Sequence, residues 1–339
     1  MQQPNANMSA PHPNDVLYSE GGKRFPALPA CEHYAGSEKL ITKALALQAE
    51  MGAVFDLTCD CEDGAATGKE REHAEMVAGF INSDANKFNR VGVRIHDLTH
   101  PHWKDDLDIV IGQAGERLAY VVLPKAERAG DVAQQLAEIE AARKRHGIKH
   151  EIPAHVLIET HGAVRDAWEI SALSGVESID FGIMDFVSAH HGAVPGSAMT
   201  SPGQFTHPLV TRAKLEISAA ALANNVVPAH NVTTEIRDTQ VVGDDAGRAR
   251  REFGYLRMWS IHPNQIRPIV EAMRPDYSEV EMASEIICAA QDNHWGPIQH
   301  AGKLHDRASF RYYWELLQRA HATGMELPAA SRQRFFGAN

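Results

Sequence analysis

Carboxylates, an arginine and a lysine recur in this 339-residue chain at the ends of short apolar runs. Asp60-Cys61-Glu62-Asp63 closes one run, Arg94 and then His96 a second, and Pro124-Lys125 a third. Glu159-Thr160 closes a fourth and Asp185 a fifth, with His230-Asn231 and His262-Pro263 further on. Charged groups at one end of apolar strands cost stability unless they meet one another or a ligand. Glu159 and Asp185, on neighbouring strand ends, would offer hard oxygen ligands to Mg²⁺. That ion commonly takes one or two protein carboxylates and fills its other positions with water and substrate. Taken singly, each carboxylate could instead cap the following helix or pair with Lys125. Arg94 lies inside Val-Gly-Val-Arg-Ile, where a guanidinium needs an anionic partner or an oxygen-rich ligand. The Asp60/Glu62/Asp63 cluster could be that partner. The two uses are compatible, since a carboxylate can orient Arg94 while the guanidinium faces a substrate oxygen.

Other clusters carry less. Cys59-x-Cys61 is one residue short of the usual zinc spacing and no second pair follows, so barrel lining fits it better. His190-His191 reads as solvated surface or part of a substrate loop. The sequence has no Gly-x-Ser-x-Gly elbow and no Walker loop, and Lys125 is the one candidate for a Schiff-base lysine.

Strand-like runs at 25–28, 54–58, 91–95, 120–123, 154–158, 178–183, 226–229 and 258–261 alternate with helical patterns. Successive βα units have this rhythm. Eight of them predict an α/β fold, a closed (β/α)₈ TIM barrel, for which ~250 residues is typical. An open doubly wound sheet would want a glycine-rich phosphate loop after its first strand, and Pro29-Ala30-Cys31-Glu32-His33 is not one. Ser37 is expected to cap a helix over 37–51, and Asp131 one over 132–144. Beyond Pro275 the pattern changes to helices without strands, over 280–292 and 309–322. The expected organisation is a poorly ordered arm (1–20), a catalytic barrel (21–275) and a C-terminal helical extension (276–339) serving as lid or oligomer contact. Ile286, Ile287, Leu316 and Leu317 of that extension would form an apolar face of the kind that marks an interface.

Acidic residues outnumber basic ones by 44 to 33, which speaks against a nucleic-acid partner. No apolar run approaches the roughly 18 residues of a membrane helix, and the polar, proline-broken start is not a secretory signal. Four cysteines make no disulfide framework, so a reducing cytoplasm is the expected setting.

In their order and spacing these motifs resemble the citrate lyase β-chain and malyl-CoA lyase superfamily, over about residues 24–275. Asp60-Cys61-Glu62-Asp63 is similar to the family's Asp-Leu-Glu-Asp block, and Val93-Arg94-Ile95-His96 to its Val-Arg-Ile-Asn strand. Pro124-Lys125 and Ile158-Glu159-Thr160 match its Pro-Lys and Ile-Glu-Thr strand ends. Gly182-Ile183-Met184-Asp185-Phe186 looks like its metal turn, and Ile261-His262-Pro263-Asn264-Gln265-Ile266 like its Ile-His-Pro-x-Gln-Ile signature. The resemblance implies a Mg²⁺-dependent carbon–carbon lyase with Glu159 and Asp185 on the metal and Arg94, Glu62, Asp63 and Lys125 as catalytic residues. Arg94 would hold the carbonyl or enolate oxygen as charge develops, and the metal would act as Lewis acid and template. The substrate would be a β-hydroxy acyl thioester such as citryl-CoA or malyl-CoA, giving oxaloacetate or glyoxylate and an acyl enolate. A homotrimer or homohexamer is implied too. In related lyases a carboxylate from a neighbouring subunit's C-terminal element takes part in proton transfer, and Asp292 and Asp306 lie in that region.

The chain also departs from the family. Its counterpart of the first strand, Leu-Phe-Val-Pro-Gly-Asn, has Glu32 and His33 in place of the glycine and asparagine whose loop helps hold CoA. A carboxylate there would repel phosphate, so weak CoA binding is expected. Val232-Thr233-Thr234-Glu235 replaces an Asp-Gly-Pro-Tyr-like segment, and Arg257-Met258 a Gly-Lys pair. Two alternatives follow: an aldolase of free hydroxy-oxo acids that never uses CoA, and a non-catalytic ligand-binding or scaffold subunit. Retention of Glu159, Asp185 and Arg94 argues against the second.

Overall fold

The computed structural model describes residues 11–18, 25–65 and 67–337. The chain divides into two compact units: residues 28–273, and the N-terminal segment to Ala27 with everything from Arg274 on.

The larger unit is a closed barrel of eight strands, β1 Cys31–Ala35, β2 Phe55–Asp60, β3 Val91–Arg94, β4 Leu118–Leu123, β5 Ala154–Ile158, β6 Val176–Phe181, β7 Val227–His230 and β8 Arg257–Ser260. Neighbours in sequence are parallel, and β8 closes on β1 with Met258 opposite Cys31. This is the expected (β/α)₈ barrel. In β2 every residue is buried, yet the chemistry alternates. Phe55, Leu57 and Cys59 pack outward with Ile41, Leu45 and Val77 of the helices, while Asp56, Thr58 and Asp60 take the other face. Period-two alternation puts polar groups inside the barrel and carries Asp60 to its rim.

The first strand lies later than expected: β1 is Cys31–Ala35, and residues 25–30 are irregular. Glu32 and His33 made this segment read as a loop. Both are buried, because their partners stand on other strands. Ser37 caps the helix Glu38–Met51, its Oγ accepting from the Leu40 N–H at 3.4 Å. The helix expected from 132 starts earlier, as Ala129–Arg145 with Arg128 at its N-cap. Asp131 sits in its first turn, and its carboxylate accepts from the Glu127 N–H at 3.3 Å.

The second unit has a core of its own. Helices Tyr277–Asp292, Arg307–Ala322 and Ala329–Phe335 enclose Val280, Ile286, Ile287, Phe310, Trp314 and Leu317. Ile286, Ile287 and Leu317 are fully buried there and Leu316 packs against that core, so these residues do not form the exposed face expected of them. The unit also contains an antiparallel hairpin, β9 Ile298–His300 and β10 Lys303–His305, where helices alone were expected. Ala301 and Gly302 both have positive φ, 46° and 78°, the two-residue turn whose twist suits a tight hairpin. Of the expected arm, residues 1–10 and 19–20 lie outside the described residues. Residues 11–18 carry the helix Pro13–Leu17, with Asn14 accepting from Trp314 Nε1 at 2.7 Å. Among the described residues no helix is long and apolar enough to cross a membrane, and all four cysteines are free and buried.

Candidate active site at the barrel mouth

The C-terminal strand ends deliver the expected residues to one rim. Arg94 Nε and Nη2 donate to the two oxygens of Asp60 at 2.8 and 2.6 Å, and Nη1 stands 3.1 Å from Glu62 Oε2. A fork gripping a carboxylate fixes the guanidinium plane. Asp60 is itself held by the Glu62 and Gly64 backbone N–H groups at 3.0 and 2.9 Å. A Cβ on Gly64 would come within 2.2 Å of Asp60 Oδ2, so only glycine allows this approach. Lys125 Nζ pairs with Glu62 and lies 3.1 Å from both oxygens of Asp63. The row Asp60–Arg94–Glu62–Lys125–Asp63 therefore alternates in sign. Burial opposes the charge on Arg94 and on Lys125, but these carboxylates outweigh it and raise both pKa values. An ammonium held in this way is not the free amine a Schiff base requires, which removes that reading of Lys125. Three of the five Arg94 N–H groups face carboxylates; the guanidinium retains two donors on Nη1 and Nη2.

Lys125 adopts a left-handed conformation (φ 51°), unusual for a residue with a side chain, and its backbone N–H donates to Glu159 Oε1 at 2.7 Å. Glu159 is 4% exposed and makes no salt bridge among the described residues. Burial, then the charges of Asp185 and Glu62, outweigh that N–H and Arg94 and push the carboxyl up to about 8. Asp185 is in the first turn of the helix Ile183–Ser188. A Cβ on Gly182 would stand 2.4 Å from Glu159 Cβ and Oε2, so this glycine lets the Glu159 side chain lie across the end of β6, where the Asp185 charge reaches it. A buried, uncompensated carboxylate with a second beside it is a donor set that fits Mg²⁺. Asp292 and Asp306 belong to the other unit. Asp292 pairs with Arg334 at 2.7 Å, and Asp306 caps the helix Arg307–Ala322.

A charged layer that sequence reasoning missed lies deeper in the barrel. Glu32, Asp56, His155, Asp180 and Arg257 are all fully buried. Arg257 Nη2 stands 2.6 Å from Asp56 and 3.2 Å from Glu32 Oε2, and His155 Nδ1 is 3.3 Å from that same Glu32 oxygen. Glu32, His155 and Asp180 bring possible metal-ligating atoms within 4.8 Å of one another. Arg257 and a protonated His155 already neutralise Glu32, and a guanidinium so close opposes a further cation. Ion pairing accounts for this cluster. Glu32 therefore faces the barrel interior and not the mouth, which overturns the expectation that it repels the phosphates of CoA; the loop after β1 is Gly36-Ser37.

The cluster predicts a pH dependence. Burial opposes the charge on His155, but Glu32 and Glu177 raise its pKa to about 9; Arg257 and His155 hold Glu32, against burial, at about 2. The His155 contribution is complete below its ordinary value of about 6.5 and is lost as pH rises through 9. That of Glu32 is complete above about 4.5 and is lost only as pH falls through 2. Between pH 6 and 9.5 the melting temperature should fall by roughly 5 °C more in the wild type than in His155→Gln. Parallel melting curves for the two proteins would show that His155 carries no proton.

Residues 39–263 match the sequence profile described as HpcH/HpaI aldolase/citrate lyase. The chain is 27% identical over 269 residues to the L-malyl-CoA/beta-methylmalyl-CoA lyase of Rhodobacter capsulatus, covering 75% of this chain and 84% of that protein. It is 27% identical over 284 residues to the malyl-CoA/beta-methylmalyl-CoA/citramalyl-CoA lyase of Chloroflexus aurantiacus, covering 77% and 80%. Among solved structures, a citrate lyase from Burkholderia xenovorans superposes with a TM-score of 0.82 at 54% identity, covering 95% of this chain and 98% of that one. The CitE protein of Mycobacterium tuberculosis, solved with magnesium, acetoacetate and coenzyme A, shares the fold at 20% identity, with a TM-score of 0.64 over 87% and 99% of the two chains. With the profile spanning most of the barrel that carries the Arg94 and Glu159 rim, the chain belongs to the HpcH/HpaI aldolase/citrate lyase family.

Proposed function

We propose that this lyase is Mg²⁺-dependent and acts on a β-hydroxy acyl-CoA thioester, cleaving it to a 2-oxo acid and an acyl thioester. The observation that carries the reading is Glu159, a buried carboxylate that makes no salt bridge among the described residues, with the charges of Asp185 and Arg94 acting on it. Held by Glu159 and Asp185, Mg²⁺ would supply Lewis-acid polarisation of the oxo-acid oxygens. Arg94, its plane fixed by Asp60 and Glu62, directs its two remaining donors at the oxygen where negative charge develops. Lys125 and Asp63 hold Glu62 in place, so the guanidinium does not reorient during the reaction. The named relatives act on malyl-CoA and beta-methylmalyl-CoA, which makes a glyoxylate-forming cleavage the first to test and the citryl-CoA reaction the second. Residues 21–275 form the catalytic domain, and residues 276–339 serve as lid or contact in a homotrimer or homohexamer. The cytoplasm is the setting in which the four free cysteines stay reduced.

The assay sets malyl-CoA and citryl-CoA beside free 4-hydroxy-2-oxo acids, with Mg²⁺ or EDTA. Thioester cleavage that falls at least 100-fold in EDTA is expected. Cleavage of the free acids alone, indifferent to CoA, would establish the CoA-independent aldolase instead.

A further inference from the structure

Between the charged rim and the buried charged layer lies an apolar one. Tyr34, Val122, Leu157, Ala229, Val232 and Trp259 pack there as a cluster separate from the main core. Cys31 and Ala35 of β1 and Met258 of β8 belong to the core between barrel and helices, so Glu32, Tyr34, Arg257 and Trp259 turn inward. Exposure orders the layer by depth. Val122, Leu157 and Ala229 are fully buried, while Tyr34, Trp259 and Val232 keep 7%, 8% and 8% of their surface open. Val232 follows β7 at its C-terminal end. These three residues are therefore the part of the layer that meets the barrel mouth.

The Tyr34 and Trp259 rings stack with centroids 4.6 Å apart and planes at 27°. Arg94 Cζ lies 5.3 Å from the Tyr34 ring centroid, within range of a cation–π contact. That distance ties the stacked pair to the guanidinium of the rim. The Tyr34 hydroxyl donates to Glu32 Oε1 at 3.1 Å, which anchors the ring to the layer beneath. Trp259 Nε1 is buried and makes no hydrogen bond among the described residues. Burying an indole N–H without a partner costs stability, and leucine would avoid that cost. What this position gains from tryptophan is the area and flat face of its ring.

Charge then sorts the two halves of the substrate. The oxo-acid half carries a carboxylate and oxygens that suit Arg94 and a metal held by Glu159 and Asp185. The acyl half is uncharged. With the Tyr34 hydroxyl committed to Glu32 and Trp259 Nε1 buried, the stacked pair offers neither charge nor donor. A carboxylate laid against it would be desolvated without compensation, whereas an alkyl group gains by burial. Resting on the lyase reading above, we propose that the stacked Tyr34–Trp259 pair and Val232 form the wall that receives the acyl half of the thioester and limits it to a short, uncharged group. The substrate class is then a β-hydroxy acyl thioester whose acyl half is acetyl or propionyl. A longer chain would have to displace a ring that is stacked on its neighbour and backed by fully buried Val122, Leu157 and Ala229.

The test is kcat/KM for condensation of glyoxylate with acetyl-, propionyl- and butyryl-CoA, with Mg²⁺ present, in the wild type, Trp259→Leu and Val232→Ala. In the wild type it should fall at least about 10-fold from propionyl- to butyryl-CoA, the discrimination a single methylene commands in a fitted apolar site. In both variants the ratio should shrink to about threefold or less, through a lower KM for butyryl-CoA, with the KM for glyoxylate little changed. A merely loosened fold would slow all three thioesters alike and leave the ratio where it was. Should Trp259→Leu fail to fold, Val232→Ala decides, because it removes two carbons from the wall and leaves the stacked pair in place. An active wild type that does not distinguish propionyl- from butyryl-CoA would overturn the wall alone. So would variants that keep the acyl ratio, or that change only the KM for glyoxylate. A wild type that turns over none of the thioesters would overturn the lyase reading and this inference together.

Discussion

Glu159→Gln is expected to abolish Mg²⁺-dependent turnover and at the same time to stabilise the metal-free protein at pH 8–9. The amide keeps an oxygen for the Lys125 N–H, which Glu159 Oε1 accepts at 2.7 Å, so the barrel rim keeps its shape. What disappears is a buried negative charge. Because burial and Asp185 raise the folded pKa to about 8, the native state favours the protonated form, and stability falls as pH rises through that value. Removing the carboxylate removes that loss, and with it most of the affinity for a hard dication. Mg²⁺ should raise the melting temperature of the wild type and leave that of Glu159→Gln unchanged. Asp185→Asn, at a half-buried site where the carboxylate makes no hydrogen bond or ion pair among the described residues, should lose turnover without the gain in stability. Calorimetry showing undiminished Mg²⁺ binding in both variants would overturn the ligand assignment.

Arg94→Lys should lower kcat by about 100-fold, comparable to the loss of a preorganised oxyanion donor. Lysine keeps the charge but cannot span both Asp60 oxygens, which Arg94 contacts at 2.8 and 2.6 Å, reach Glu62 and still present two donors outward. Asp60 and Glu62, both nearly buried, would lose a fitted partner, so a drop in melting temperature should accompany the loss of activity. The two effects separate with Asp60→Asn, which loosens the guanidinium without deleting it. A smaller kcat loss in Asp60→Asn than in Arg94→Lys marks Arg94 as acting on the substrate. Near-normal kcat in Arg94→Lys would make it a structural partner of the acidic cluster and nothing more.

The barrel and its rim were legible because their signals are local. Strand β5 was read at its observed bounds, Ala154–Ile158, since a short apolar run between helical patterns needs no distant information. The same holds for Ser37 as a cap and for Arg94 and Glu159 at strand ends, with Asp185 in the first helical turn past β6, because strand direction alone places every one of those ends on a single face. Charge next to an apolar run was the signal that found Lys125, although its ammonium state became plain only once Glu62 and Asp63 stood beside it.

Tertiary structure decided what depends on closure. Glu32 looked like a loop residue because a carboxylate inside a strand is intolerable without a partner, and that partner, Arg257, comes from the last strand. Asp56 and Arg257 meet across 201 residues of chain, so neither position reveals the other by spacing. Only when β8 pairs with β1 do these charges neutralise one another, and only then does Glu32 leave the barrel mouth for its interior. Ile286, Ile287 and Leu317 follow the same logic. Helical periodicity showed which faces were apolar, but what covers them was settled by the packing of Tyr277–Asp292 on Arg307–Ala322. Alternation and strand-end chemistry are properties of neighbouring residues, and the sequence carries them. Burial and charge compensation are properties of pairs brought together by folding, and they exist only in the closed barrel.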